Sequence, residues 1–283
     1  MTVAQIPFEA FFIEAGAARC FGLYFPAQGT PRGAVLYLHP LAEEMNRSRR
    51  MAALQARALA AAGFAVLQID LCGCGDSSGD FGCATWSGWI ENLEAGLAWL
   101  RPRVQAPLWL WGLRAGCLLG AALLQRGLLA QGFLMWQPVV SGEQALRQFL
   151  RLKTVADVAA GRQARDYTAL YHALEQGDTV VVAGYRLNPA LARGMAAAEM
   201  RLPAGGLRIE CFEMAGGSDT ALSPALSVRL AQWRAAGHRV RGVVLDVPSF
   251  WHNKTDRKKP SQYTQTPSQS LSASRWGGSK TNY

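Results

Sequence analysis

No stretch of this chain approaches the roughly 20 uninterrupted apolar residues that span a bilayer, so no integral membrane segment is expected. The opening MTVAQIPFEAFFIEAG also lacks the basic start and compact apolar core of a secretory signal, and it carries Glu9 and Glu14. The expected location is therefore cytoplasmic. Cysteine is present without the arrangement that would give it a structural task. Cys20, Cys72, Cys74, Cys83, Cys117 and Cys211 are scattered over a large chain, unlike the framework of a small disulfide scaffold. Cys72-x-Cys74 has the wrong spacing for a zinc knuckle, and no second pair with histidines accompanies it. Neither a metal nor a cofactor is expected, and the thiols read as small apolar packing residues.

Charge is sparse as well, at 17% of residues, and half of the chain is hydrophobic, which suits an ordinary packed core. The formal charge of +9 is unevenly placed. Beyond residue 251 there are six lysines and arginines against one aspartate, so more than half of the excess sits in the last 32 residues. No basic recognition helix or RNA-binding aromatic motif goes with it, and a nucleic-acid partner is not expected. The composition of 252–283, rich in Ser, Thr, Gln, Lys and Pro, cannot bury enough surface to offset its ordering entropy. This polar basic tail is expected to be disordered, and it equally suits a frame-shifted or vector-derived terminus.

What the chain does have is a repeated unit. Short unalternating apolar runs at 33–38, 64–70, 107–111 and 132–136 suit strands buried on both faces of a parallel sheet. Helical stretches at 48–62, 86–100 and 115–129 separate or follow them, the first with Ser48 as its N-terminal cap and Gly63 as its stop. Strand–helix alternation of this kind gives right-handed βαβ units with functional loops at the carboxyl ends of the strands. The order breaks at about 141–203, a mainly helical insertion with a short apolar run, TVVVAGY, inside it. Strands at 207–213 and 240–247, bridged by a helix near 223–236, then resume the sheet. The expected organisation is one α/β domain over 1–251, with 141–203 as a cap over the site.

Three loops fall where chemistry is placed in such a sheet. The first, His39-Pro40-Leu41-Ala42-Glu43-Glu44-Met45-Asn46, reads equally as an oxyanion-hole loop or as a loop leading into a helix with surface glutamates. The second, Asp70-Leu71-Cys72-Gly73-Cys74-Gly75-Asp76-Ser77-Ser78-Gly79, reads as a tight turn braced by Asp70. Ser77 and Cys74 there are expected to serve packing and turn geometry. The third, Gly112-Leu113-Arg114-Ala115-Gly116, has the strand–turn–helix form of a G-x-S-x-G nucleophile elbow with arginine in the serine's place.

Arginine stays protonated and has no lone pair with which to attack, so a serine-type acyl-enzyme through Arg114 is excluded. Three roles remain open for it. Arg114, flanked by Leu113 and Ala115, can form a structural salt bridge with Glu43, Glu44 or Asp219. It can clamp a carboxylate or phosphate, or it can take part in an atypical catalytic site. Asp219 lies near the place of a triad acid and His252 near that of a triad histidine, whereas His238 precedes its strand and belongs to the wrong end. No complete triad assembles from these residues.

The blocks HPLAEEMNRSRRM, DLCGCGDSSGDF and WLWGLRAGCLLG, with the sequence between the first two, resemble the exosortase A system-associated hydrolase 2 family of α/β-hydrolase proteins. The similarity runs from about residue 15 to 251 and is densest in 38–120. It implies an α/β-hydrolase fold, a mostly parallel doubly wound sheet with a mainly helical cap. It also implies an accessory of the exosortase and exopolysaccharide machinery, with exosortase-system proteins as partners. The resemblance supplies no substrate; with Arg114 at the elbow the expected one is a small anionic or acyl molecule of ester type, and the alternative is a non-catalytic protein binding an anionic ligand or a partner. The family pattern also carries arginine at the elbow. Where the family continues past its Phe-Trp pair into a final helix, this chain turns polar, which weakens the assignment of His252.

Overall fold

A computed structural model describes residues 7–215 and 221–251. Its centre is Gly33–Leu38 (β3), six residues buried without exception because helices cover both faces of the sheet there. β3 is flanked in parallel by Phe64–Ile69 (β4) and Leu108–Leu113 (β5), and Gly132–Trp136 (β6) continues beyond β5. Arg208–Ala215 (β9) and Arg239–Asp246 (β10) complete the parallel part. On the other edge, Glu9–Ala15 (β1) and Ala18–Phe25 (β2) form an antiparallel hairpin that joins β4. The eight strands run in the order β1-β2-β4-β3-β5-β6-β9-β10.

Helices lie on both faces. Glu43–Ala61 (α1) packs on one, burying Ala52, Ala56, Leu59 and Ala60 against Val35, Tyr37, Phe64 and Val66. Val247 and Trp251 belong to that same apolar layer. Trp86–Leu100 (α2), Gly116–Gln125 (α3) and Pro224–Ala235 (α7) contribute to the opposite layer through Trp89, Leu93, Leu119 and Trp233. Each β-strand that enters from a helix and leaves into a loop points its carboxyl end to the same rim, where the three sequence loops gather.

Between β6 and β9 the chain leaves the sheet. It forms Gly142–Ala159 (α4), Tyr167–Glu175 (α5), a small hairpin of Val180–Val182 (β7) and Tyr185–Leu187 (β8), and Pro189–Ala196 (α6). The TVVVAGY run is thus β7, the turn of a hairpin and the first residue of β8. A bridge between Ser141 and Glu199 closes the base of this excursion. The pinch is tight, since a Cβ on Gly142 would overlap the Met195 carbonyl oxygen.

One helix start departs from the sequence expectation. α1 begins at Glu43, five residues before Ser48, and Ser48 is buried inside it with its hydroxyl donating to the Met45 carbonyl at 3.1 Å. The helix begins instead behind Ala42, held at φ 50°, with Glu43 and Glu44 in the first turn, where acidic side chains favour the helix dipole. α3 is also shorter than 115–129, ending at Gln125. Among the described residues no helix is long and apolar enough to cross a membrane.

Candidate functional site

β5 ends at Leu113, and α3 begins at Gly116, so the chain reverses over Arg114 and Ala115 alone. The reversal forces Arg114 to φ 54°, a left-handed conformation that costs a non-glycine residue about 1–2 kcal/mol. It is held there by backbone bonds, Arg114 N–H to the Trp136 carbonyl at 2.9 Å and Cys117 N–H to the Arg114 carbonyl at 3.1 Å. The two flanking glycines are steric necessities. A Cβ on Gly116 would run into the carbonyl oxygens of Leu38 and His39, and one on Gly112 would lie 2.8 Å from Cys117 Cα. The elbow geometry is intact; only its central side chain differs from a serine.

That side chain is largely enclosed, with 14% of its surface exposed. Its Nε donates to Glu44 Oε1 at 3.2 Å, and its Nη2 donates to Gln148 Oε1 at 3.1 Å. The guanidinium carbon also lies 5.8 Å from the Trp251 ring centroid, within range of a cation–π attraction. Glu44 comes from the first turn of α1 and Gln148 from α4. Three separate parts of the chain therefore converge on the tip of the elbow.

The loop from β3 to α1 borders this centre. His39, Pro40, Leu41 and Ala42 are all buried, and Glu43 and Glu44 after them are half-buried. His39 is committed to structure: the Leu71 N–H donates to its Nε2 at 3.3 Å, so its Nδ1 carries the proton and donates to the Pro40 carbonyl at 2.8 Å. Burial lowers its pKa, in keeping with a neutral ring. Glu43 faces away from Arg114 toward Arg47, 3.4 Å from its Nε, and accepts from the Tyr185 hydroxyl at 3.4 Å. Asn46 in turn donates to that hydroxyl at 2.9 Å, and Phe81 packs edge-on against the Tyr185 ring. The β7–β8 hairpin is thereby tied to the first turns of α1.

The glycine-rich loop after β4 is a turn, as its sequence suggests. Asp70 Oδ2 receives Arg49 Nη2 at 2.8 Å and the Asp76 N–H at 3.1 Å. Ser77 Oγ donates to the Asp70 carbonyl at 2.6 Å and accepts the Phe21 N–H at 2.8 Å, which leaves no free hydroxyl for attack. Burial also pushes up the thiols of Cys74 and Cys117, so neither is an alternative thiolate nucleophile near the elbow.

Of the residues that the sequence singles out, the structure brings Arg114 and Glu44 into contact, with Leu113 and Ala115 beside them. It does not bring His39 or Glu43 to the guanidinium. Asp219 and His252 lie outside the described residues. His238 immediately precedes β10 and so sits at the amino end of the sheet, opposite the elbow. Gln148 and Tyr185 escaped the sequence reading because nothing local marks them; their partners are 34 and more than 100 residues away. Gln137 was also missed. It follows β6 at φ 43°, its N–H donates to the Phe212 carbonyl at 2.7 Å, and its Oε1 accepts the Met214 N–H at 2.6 Å. Among the described residues no group of three or more His, Cys, Asp or Glu could hold a metal ion.

Comparison with known proteins agrees with this layout. Residues 29–254 match the Hydrolase_4 family, described as serine aminopeptidase, S33. No curated protein matches the sequence. Among solved structures, a highly thermostable carboxyl esterase from Bacillus coagulans, in complex with glycerol, superposes with a TM-score of 0.61 at 14% identity. The match covers 96% of this chain and 98% of that one. Est1E from Butyrivibrio proteoclasticus, with ferulic acid bound, gives 0.59 at 14% identity over 87% and 93%. An alpha-beta hydrolase from Vibrio vulnificus gives 0.57 at 17% over 94% and 81%. Identities this low speak to the fold alone.

Proposed function

Because the chain belongs to the Hydrolase_4 (serine aminopeptidase, S33) family of α/β hydrolases, we propose that it is an esterase-like protein for a small acyl or ester molecule bearing an anionic group, anchored by Arg114. The observation that carries this reading is the Arg114–Glu44 contact at the tip of the elbow. A planar guanidinium matches a carboxylate or phosphate in a two-point grip. An anionic ligand arriving there takes over the Nε position now held by Glu44. Glu44, a carboxylate released beside the bound ligand, can accept a proton from water as that water attacks the acyl carbon, and can return it to the departing alkoxide as the tetrahedral intermediate collapses and the ester bond breaks. The N–H groups of Leu41 and Ala115, at the two loop positions that form the oxyanion hole in this fold, are the donors for the developing oxyanion. No covalent acyl-enzyme forms on the elbow, since arginine has no nucleophilic lone pair.

The excursion from 141 to 203 acts as the cap in this scheme. Its Gln148 reaches Arg114 and its Tyr185 reaches the start of α1, so it must yield for a ligand to enter. Association with the exosortase and exopolysaccharide system, in the cytoplasm, is supported by the sequence blocks in 38–120.

A second reading, ligand binding without turnover, is favoured by one observation. No histidine among the described residues bonds to either Arg114 or Glu44, so no histidine–carboxylate relay stands at the elbow. A panel of esters and thioesters, some carrying a carboxylate, separates the two when tested on wild type, Arg114→Ser and Arg114→Ala with fluorophosphonate labelling alongside. Wild-type turnover without labelling, lost in both variants, is the expected result. A silent wild type with a labelled Arg114→Ser would replace it with the binding reading.

A further inference from the structure

α4 has a different flank on either side of its buried face. Arg147, Thr154 and Val158 share one of them, by helical spacing. Thr154 Oγ1 donates to the Arg165 carbonyl at 2.8 Å, and the Arg147 guanidinium carbon lies 4.2 Å from the Tyr167 ring centroid. This flank therefore meets the segment that leads into α5. The other flank carries Gln148, Leu152, Val155 and Ala159, whose alternating spacing of four and three stacks side chains along one line of a helix. The inner end of that line is at the elbow, because Gln148 accepts from Arg114 Nη2.

Beyond Gln148 the line is apolar and open. Leu152 is 50% exposed and Val155 56%, and Ala159 is exposed beyond them. At the helical rise the line from Gln148 to Ala159 is about 16 Å long. A single exposed leucine needs no explanation, but these side chains lie in file with a residue that touches the guanidinium. The result is a strip with a cation at one end and hydrocarbon along the rest. Its width is one row of a single helix, far short of the roughly 800 Å² that each partner gives to a stable protein interface.

We propose that this line carries an alkyl chain of the substrate, so that the substrate class is a medium-chain acyl amphiphile whose anionic group sits at Arg114. The inference rests on the Arg114-anchored reading of the site and adds the part of the substrate that the arginine cannot recognise. An anion held at the guanidinium beside Gln148 directs its chain onto Leu152, one turn further along α4, and then onto Val155. Covering those two side chains removes apolar surface from water on both partners.

Saturated carboxylates of increasing length (acetate, hexanoate and decanoate) share one head group and test this when titrated into the full chain and followed by NMR shifts. Wild type should bind them more tightly with length, by about twofold per methylene, half of what full burial gives because the line is open on one side. Leu152→Gln combined with Val155→Gln, at exposed positions where glutamine suits a helix, should weaken decanoate about tenfold and leave acetate unchanged. Val158→Gln, at a position 64% exposed on the other flank, should bind all three as wild type does. Arg114→Ala should lose all three. Decanoate bound no more tightly than hexanoate, or undiminished in the double variant, overturns the proposal and leaves the anchoring role of Arg114 standing. Val158→Gln weakening decanoate as much as the double variant overturns it too, since the chain then meets a general apolar surface such as one that faces a membrane. If wild type binds none of the three, or Arg114→Ala binds them undiminished, the anchoring reading fails and this inference with it.

Discussion

Nε of Arg114 lies 3.2 Å from Oε1 of Glu44, across 70 residues of sequence, so the elbow's strained residue is held by the helix that follows a different strand. The two loops that shape an α/β-hydrolase centre are joined by an ion pair at the point where the fold otherwise presents a hydroxyl. This contact has energetic consequences that a double-mutant cycle reads directly.

Glu44→Gln should destabilise the chain by about 1–3 kcal/mol, the range for hydrogen bonds to charged groups and for their loss in partly enclosed surroundings. Arg114→Met in the Glu44→Gln background should cost much less than Arg114→Met alone. Urea unfolding of the four proteins gives the coupling energy, and additive effects would show that the pair contributes nothing to the fold.

Gly116→Ala should be severely destabilising, by about 3 kcal/mol or more, since its Cβ has nowhere to go but into the Leu38 and His39 carbonyls. Thermal unfolding measures this. A variant as stable as wild type would mean that the elbow is looser than its geometry indicates.

Ser77→Ala should reduce stability by about 1–3 kcal/mol, because the Phe21 N–H loses its acceptor, while turnover or ligand binding at the elbow is unchanged. Loss of activity at full stability would instead mark Ser77 as a nucleophile.

The pH dependence of stability should carry a signature of His39. Burial lowers its folded pKa below the usual 6.5, so the unfolded chain takes up a proton before the folded one does. The stability it confers is fully present above about pH 6.5 and declines as pH falls below that value toward the folded pKa. His39→Gln retains an acceptor for the Leu71 N–H and should have a shallower decline. His238, which burial shifts the same way, is common to both proteins and cancels in the comparison.

Tyr185→Phe should release the β7–β8 hairpin from α1 at a cost to global stability of about 1 kcal/mol. Amide exchange across 180–187 should accelerate while the central strands keep their protection. Unchanged exchange there would show that the edge-on Phe81 contact suffices to hold the hairpin.

Much of this architecture was legible in the sequence, and the reasons are particular. The runs 33–38 and 132–136 have the bounds the sequence suggests because unbroken apolar stretches end there in polar, proline-bearing loops, and the helix 86–100 does because its helical pattern stops at Arg101-Pro102. The N-terminal hairpin gave no such signal. Its strands carry Glu9, Glu14 and Arg19 among aromatics, and the two-residue link at Gly16-Ala17 depends on Gly16 at φ 64°. The start of α1 was misplaced because Ser48 has a capping residue's chemistry, whereas the real start is set by the turn at Ala42. At the site, the arginine elbow could be read from two glycines and a strand. The partners Glu44 and Gln148 could not be ranked above their neighbours, since which carboxylate or amide reaches a guanidinium is decided by packing across the fold.

The excursion between β6 and β9 also bears on how the chain reaches its native state. Neighbouring strands β3, β4, β5 and β6 are linked by single helices, but β6 must wait for a partner about 70 residues downstream. Closing so long a loop slows the search for that pairing far more than it lowers final stability, because closure entropy grows only logarithmically with length. The six strands from β1 to β6 therefore have the short-range connections of an early nucleus, with the β6 edge exposed until β9 docks. During synthesis that open edge is where a misplaced strand from a second copy would first take hold.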